Sequence, residues 1–199
     1  MMTQSLPYTV DEVTSADSPY LPGMNDWLNQ IFPEYAPPHF EALLAPQCRH
    51  DNPPTVQIFV GQAGGQVAGL VQMLYRVWQG GLIADIDLLG VLEPYRRSGL
   101  GAALVRRAIL AAQDMTSLCH RPAIGVVSLA DPAYAPVIQL HHKLKGQVRT
   151  DFLYPSGDAI VWYPLTEGFA AVKTKALAEQ LQQFGDLLSE MLSSQGDCR

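Results

Sequence analysis

Residues 86–109 read IDLLGVLEPYRRSGLGAALVRRAI. An apolar strand runs into an arginine-glycine turn, R-x-x-G-x-G over Arg96–Gly101, and leaves it as a helix. A helix N-terminus has several N–H groups without intrahelical acceptors, and the aligned peptide dipoles add partial positive charge there. Phosphate oxygens satisfy both needs. Gly99 and Gly101 remove Cβ atoms, so a ligand can approach the main-chain amides, and Arg96 and Arg97 add cationic donors suited to phosphate. Arg96, Arg97, Gly99 and Gly101 therefore read as an anion seat at the start of a helix. The two better-known cradles fit poorly. A P-loop needs Lys after its last glycine, and none is present here. The dinucleotide fingerprint needs Gly or Ala at its sixth position, where, counting from Gly99, Leu104 stands. A nucleotide-binding α/β protein using this turn for another phosphate stays open at this point.

The elements around the turn set the fold class. Residues 7–13 alternate weakly, as a first strand would. Two short apolar-periodic pieces, MNDWLNQIF and HFEALLA, lie among prolines at 19, 22, 33, 37, 38 and 46 and predict two short helices. TVQIFVGQA and QVAGLVQMLYRVW flank Gly64-Gly65, a two-residue hairpin loop, and LIADIDLLGVL supplies a third strand. The helix after the turn runs to about Thr116. AIGVVSLA then reads as a strand covered on both faces, and DPAYAPVIQLHHKLKG as a helix with start and stop signals. VRTDFLY and AIVWYPL form a terminal hairpin around PSGD. The order predicts an α/β fold: a mixed, mostly antiparallel central sheet with flanking helices and one parallel pair made by a helical crossover.

Residues 166–199 differ in carrying Leu177, Leu181, Phe184, Leu188 and Met191 at gaps of four and three. This seam of about two heptads predicts a C-terminal helical extension to a domain of residues 1–165. It packs back on that domain or on the partner subunit of a homodimer.

Composition narrows the functions. A net charge of −6 lacks the cationic surplus that nucleic acid demands, while leaving room for a cationic substrate such as an amine. No apolar run is long enough to span a bilayer, and no secretory leader is visible. Cys48, Cys119 and Cys198 form no C-x-x-C pair, which suits a reducing cytoplasm and provides no cysteine-based zinc site. No metal is expected.

The strand ending in Leu89-x-Val91, followed by Tyr95-Arg96-x-x-Gly99-x-Gly101 opening a helix, resembles the acetyl-CoA-binding core of the GNAT acyltransferase family. The element order from about residue 5 to 165 is similar to that family's as well. The resemblance implies an acetyl-CoA-dependent N-acetyltransferase acting by direct attack of an acceptor amine, on a small molecule or a peptide. It also allows a non-catalytic acyl-CoA sensor with the same fold. In this reading the strand carrying Leu89, Gly90 and Val91 parts from the strand beyond the helix and binds the pantetheine arm and thioester. The pyrophosphate then sits on the amides from Arg96 to Ala102.

Direct transfer needs a base for the amine and a proton for the departing thiolate. Period-two alternation places Asp85 and Asp87 on one face of the strand with Ile83 and Leu89. Two aspartates in an apolar strand need partners or water, and both are candidate bases; the resemblance, whose members often carry an acidic residue near this position, favours Asp87. Where family members carry a proton-donating tyrosine, alignment puts His141, and Tyr134 falls at a nearby asparagine position; both are candidate acids. Trp27, Phe32, Tyr35 and Phe40 divide between core and an acceptor pocket.

Overall fold

The computed structural model describes residues 8–33, 39–44 and 56–193, without the side chains of 39, 119, 187, 188 and 190–193. Tyr35, Cys48 and Cys198 lie outside these residues. Seven strands form one sheet: β1 (Tyr8–Val13), β2 (Val56–Ala63), β3 (Gln66–Trp78), β4 (Gly81–Val91), β5 (Ala123–Ala130), β6 (Gln147–Leu153) and β7 (Ala159–Pro164). Their spatial order is β1-β2-β3-β4-β5-β7-β6. Every neighbouring pair is antiparallel except β4 and β5, which a helical crossover makes parallel. The β2–β3 hairpin closes over Gly64 and Gly65, both at positive φ (60° and 78°), as a two-residue loop of this hand requires.

Helices cover both faces. One face carries α1 (Leu21–Ile31), α2 (His39–Leu44) and α5 (Thr174–Ser193), with Met24, Trp27, Leu28, Phe40, Leu177, Leu181 and Phe184 buried against Ile58, Leu70, Leu74, Ile83 and Leu88. The other carries α3 (Leu100–Cys119) and α4 (Ala135–Lys143), with Leu104, Val105, Ala108 and Met115 buried against Val71, Met73, Ile86 and Val126. The helix after β5 starts four residues later than its sequence suggests. Asp131 instead caps a turn through Ala133 N (2.8 Å), and Pro136 occupies the first turn of α4.

The described part of the C-terminal seam faces the chain's own core. Leu177, Leu181 and Phe184 share one cluster with Trp27 and Trp162. The connection into α5 is pinned to the last hairpin: Trp162 Nε1 donates to Phe169 O (3.0 Å), Arg149 donates to Val172 O and Ala170 O, and Thr174 Oγ1 bonds Asp151 (2.8 Å).

Candidate active site

The site begins where two strands stop pairing. β4 and β5 pair from Leu82↔Ala123 to Ile86↔Ser128, with a register shift after Leu82, and pair no further. Leu129 and Ala130 continue only against Ile160 and Ala159 of β7, while Leu89, Gly90 and Val91 continue only against Val71, Leu70 and Gly69 of β3. Between these diverging ends β4 presents its last residues, Asp87 to Val91, with one edge unpaired among the described residues.

A β-bulge marks the same point. Met73 faces Ile86 and Gln72 faces Leu88, so Asp87 is the extra residue on β4. An inserted residue shifts the alternation beyond it. Ile83 and Leu88 therefore join the α1/α2/α5 side, while Ile86, Leu89 and Val91 join the α3/α4 side. Asp87 remains on the α1/α2/α5 side, where it accepts a 2.7 Å hydrogen bond from Gln72 Nε2. The alternation expected from sequence, with Leu89 on the face of Ile83, is corrected by that bulge.

The two carboxyls respond to this setting. Burial pushes the Asp87 carboxyl up to about 6, with Gln72 pulling the other way. Asp85, only 6% exposed, is also raised, by burial and then by the neighbouring Asp87 charge. Gln72, a carboxamide inside the apolar run of β3, escaped the sequence reading. A polar residue at a buried strand position was the available signal.

Gly90 is empty of side chain for a reason of packing. A Cβ there would stand 2.8 Å from Trp27 Cζ2 and 3.1 Å from Ile31 Cγ2, so α1 lies directly on the end of β4. Trp27 and Phe40 are wholly buried, whereas Phe32 is half-buried and tilted against Trp27 with ring centroids 5.7 Å apart.

Beyond Val91 a single 3-10 turn (Glu93–Tyr95) leads to the arginine-glycine segment. Arg97 (φ 64°) and Gly99 (φ 94°) are both left-handed, and such alternation turns successive N–H groups towards one side. Among the described residues the amides of Arg97, Ser98, Gly99, Gly101 and Ala102 find no acceptor. Ser98 Oγ holds the turn, donating to Tyr95 O (2.7 Å) and accepting from Leu100 N (3.3 Å). Leu100 is buried over Gly61 of β2 and anchors the helix start. A Cβ on Gly101 would meet nothing nearer than 3.6 Å, so the chain's own packing does not demand a glycine there. Arg96 Nε donates to Val91 O (3.1 Å), tying the turn to the end of β4, and both Arg96 and Arg97 are exposed. Five free amides and two cationic side chains fit a diphosphate.

The two candidate acids are placed very differently. Tyr134 stands at the start of α4 and is 42% exposed. His141 is two turns further on, enclosed, and shares a 2.5 Å hydrogen bond through Nδ1 with the Tyr163 hydroxyl. Burial, and then the neighbouring His142, lower its pKa to about 4, and burial raises that of Tyr163. The histidine is therefore neutral near pH 7.

These features meet in one known arrangement. Residues 21–143 match the acetyltransferase (GNAT) family, and the chain belongs to that family. Solved structures with the same fold include Arabidopsis thaliana NAA60 in complex with acetyl-CoA, at 16% identity and a TM-score of 0.57 over 79% of this chain and 99% of that one. Another is the ribosomal-protein-S18-alanine N-acetyltransferase of Escherichia coli, at 17% identity and TM-score 0.55 over 84% and 99%. The IAA acetyltransferase of Bacillus cereus aligns at 15% identity and TM-score 0.55 over 80% and 100%. No curated protein sequence matches the chain. Among the described residues no helix is long and apolar enough to cross a membrane, and no cluster of His, Cys, Asp and Glu is arranged to hold a metal.

Proposed function

We propose that this chain transfers an acetyl group from acetyl-CoA to the amine of a small molecule or peptide. The reading rests above all on the parting of β4 and β5 after Ile86 and Ser128, beside five unpaired amides at the start of α3. The amides of Arg97, Ser98, Gly99, Gly101 and Ala102 bind the pyrophosphate, with Arg96 and Arg97 adding charge at its rim. The unpaired edge of Leu89, Gly90 and Val91 binds the pantetheine arm and aligns the thioester. Acetyl-CoA supplies the activated acyl group and a thiolate leaving group.

An acceptor amine reaches this centre protonated and must lose that proton before attack. Asp87 takes it: its carboxyl, raised to about 6, is ionised at neutral pH yet basic enough to accept a proton from a bound ammonium. The amine nitrogen then bonds to the thioester carbon, the carbon–sulfur bond breaks, and the nitrogen sheds its second proton, which makes good the one that Tyr134 gives to the sulfur. Tyr134, exposed at the start of α4, returns a proton to the sulfur, because His141 is enclosed and already bonded to Tyr163. The chain needs no metal for this sequence, and we place it in the cytoplasm.

That enclosed histidine also favours a second reading, in which the chain binds acyl-CoA without transferring the acyl group. Labelled acetyl-CoA incubated with a panel of amines separates the two. Acetylated amine supports transfer, whereas tight CoA binding with every amine left unmodified supports the sensor.

A further inference from the structure

The hydroxyls of Tyr20, Tyr75, Tyr154 and Tyr163 are held within the fold, by Asp11, Gln57, Gln182 and His141 respectively. Those of Tyr8, Tyr95 and Tyr134 have no hydrogen-bond partner among the described residues. Tyr134 is already placed at the thiolate. Tyr95 Oη lies at the β2–β3 loop, 3.9 Å from where a Cβ on Gly64 would stand. Tyr8 Oη lies at the anion seat, 3.5 Å from where a Cβ on Gly99 would stand. Apart from the residues adjoining Gly99, no other heavy atom comes within 4 Å of that position.

Tyr8 is held there by contacts distant in sequence. It opens β1, and its main chain pairs with Ala63 of β2. Its ring is half-buried and packs against the apolar cluster that also contains Leu100 and Leu104 of α3. A tyrosine has few side-chain torsions to fix, so a packed ring delivers its hydroxyl at little further entropic cost. A hydroxyl can donate or accept, yet this one accepts from none of the free amides beside it. The amides and the hydroxyl thus share one need, an oxygen-rich acceptor that can take several donors at once. A phosphate group is such an acceptor.

We infer that Tyr8 is a further diphosphate-binding residue, donating its hydroxyl hydrogen to a phosphate oxygen of CoA. This rests on the reading of the turn as the CoA seat. The amides opening α3 come from one segment, whereas Tyr8 reaches the same segment from 91 positions before Gly99. The edge strand β1 therefore takes part in cofactor binding as well as in the sheet.

Tyr8→Phe removes the hydroxyl and keeps the ring. CoA, and dephospho-CoA, which lacks the ribose phosphate but retains the diphosphate, are titrated calorimetrically into both proteins. The variant should bind each ligand about tenfold more weakly, the size expected for losing a hydrogen bond to a charged group. Its melting temperature without ligand should equal that of the wild type. A second readout needs no substitution. The Cζ carbon resonance of labelled Tyr8 in the wild-type protein reports hydrogen bonding at its hydroxyl. It should shift on saturation with CoA or dephospho-CoA and stay in place with pantetheine, which has no phosphate. Equal CoA affinity in wild type and folded variant would overturn the role of Tyr8 while leaving the seat intact. So would a loss seen with CoA but not with dephospho-CoA, an unmoved Cζ resonance, or an equal shift with pantetheine. Wild-type protein that binds no CoA would overturn the seat itself, and the role of Tyr8 with it.

Discussion

The two faces of the sheet handle the same problem, a polar group in an apolar layer, in opposite ways. On the α3/α4 face the groups proposed to bind phosphate are main-chain amides, gathered in the segment from Arg97 to Ala102. The titratable side chain buried there, His141, is closed off by Tyr163. On the α1/α2/α5 face the proposed base is a side chain set by residues from different strands. Asp87 is pushed outward from β4 by a bulge, held by Gln72 of β3, and roofed by helices far away in sequence. A phosphate seat can be local because backbone supplies it. A base with a tuned pKa cannot be local, because burial by distant elements does the tuning.

Removing the carboxylate of Asp87 should break this contrast most severely. Asp87→Asn should lower kcat for amine acetylation about 10³-fold, within the usual range for loss of a general base. It should leave CoA affinity unchanged, since the amides lie apart from it. In the wild-type protein kcat should rise with pH to a plateau above about 6, as Asp87 ionises. Steady-state rates from pH 5 to 8 check both statements, and a variant with wild-type kcat would remove Asp87 from the chemistry.

The covering of that face is tested next. Leu177→Ala empties a fully buried position where α5 meets the core and should cost about 3 kcal/mol, measured by chemical denaturation. If α5 instead served a partner subunit, stability would depend on protein concentration and the loss would be small in dilute solution. Smaller again is the difference between two glycines. Gly90→Ala forces a methyl to 2.8 Å from Trp27 and should cost about 2 kcal/mol, whereas Gly101→Ala has room and should cost nothing. Equal melting temperatures for the two variants would contradict the packing of α1 on β4.

The last test concerns His141. Its folded pKa lies near 4, below the ordinary value of 6.5, so the fold favours the neutral ring. Its contribution is complete above pH 6.5 and is lost as pH falls towards 4, on the order of 3 kcal/mol in all. Asp87 has the opposite sign: its folded pKa is raised, so its contribution is lost as pH climbs from 3.8 through about 6. The two largely offset each other between pH 4 and 6, and Asp85, whose folded pKa is also raised, adds a further loss of stability as pH climbs above 3.8. NMR titration separates them, with the His141 ring still neutral at pH 5. A ring that protonates near 6.5 would mean that it is solvated and free to act as an acid.

Much of this architecture is written in short-range pattern. The glycine-closed hairpin, the apolar β5, and the strand–turn–helix around Arg96 were legible because each depends on neighbours within a few residues. The bulge at Asp87 was not, since an extra residue on one strand is defined only by its partner, Gln72. Nor did the sequence reveal that Gly90 makes room for Trp27, sixty-three positions earlier in the chain. The heptad spacing of Leu177, Leu181 and Phe184 identified an apolar face but could not say what lies against it. The structure places the chain's own core there.

The central claim is that the amides opening α3 hold the diphosphate of CoA, and Gly99 tests it directly. Its φ of 94° disfavours any side chain, and a Cβ would meet only Tyr8 Oη, at 3.5 Å, so Gly99→Val strains the turn without a clash in the core. Calorimetric titration of CoA into both proteins, with circular dichroism to verify folding, is the decisive measurement. The account predicts binding to the wild-type protein, none detectable to a folded Gly99→Val, and no comparable heat from ATP or NAD. CoA affinity unchanged in the variant, or a preference for ATP or NAD, would contradict it.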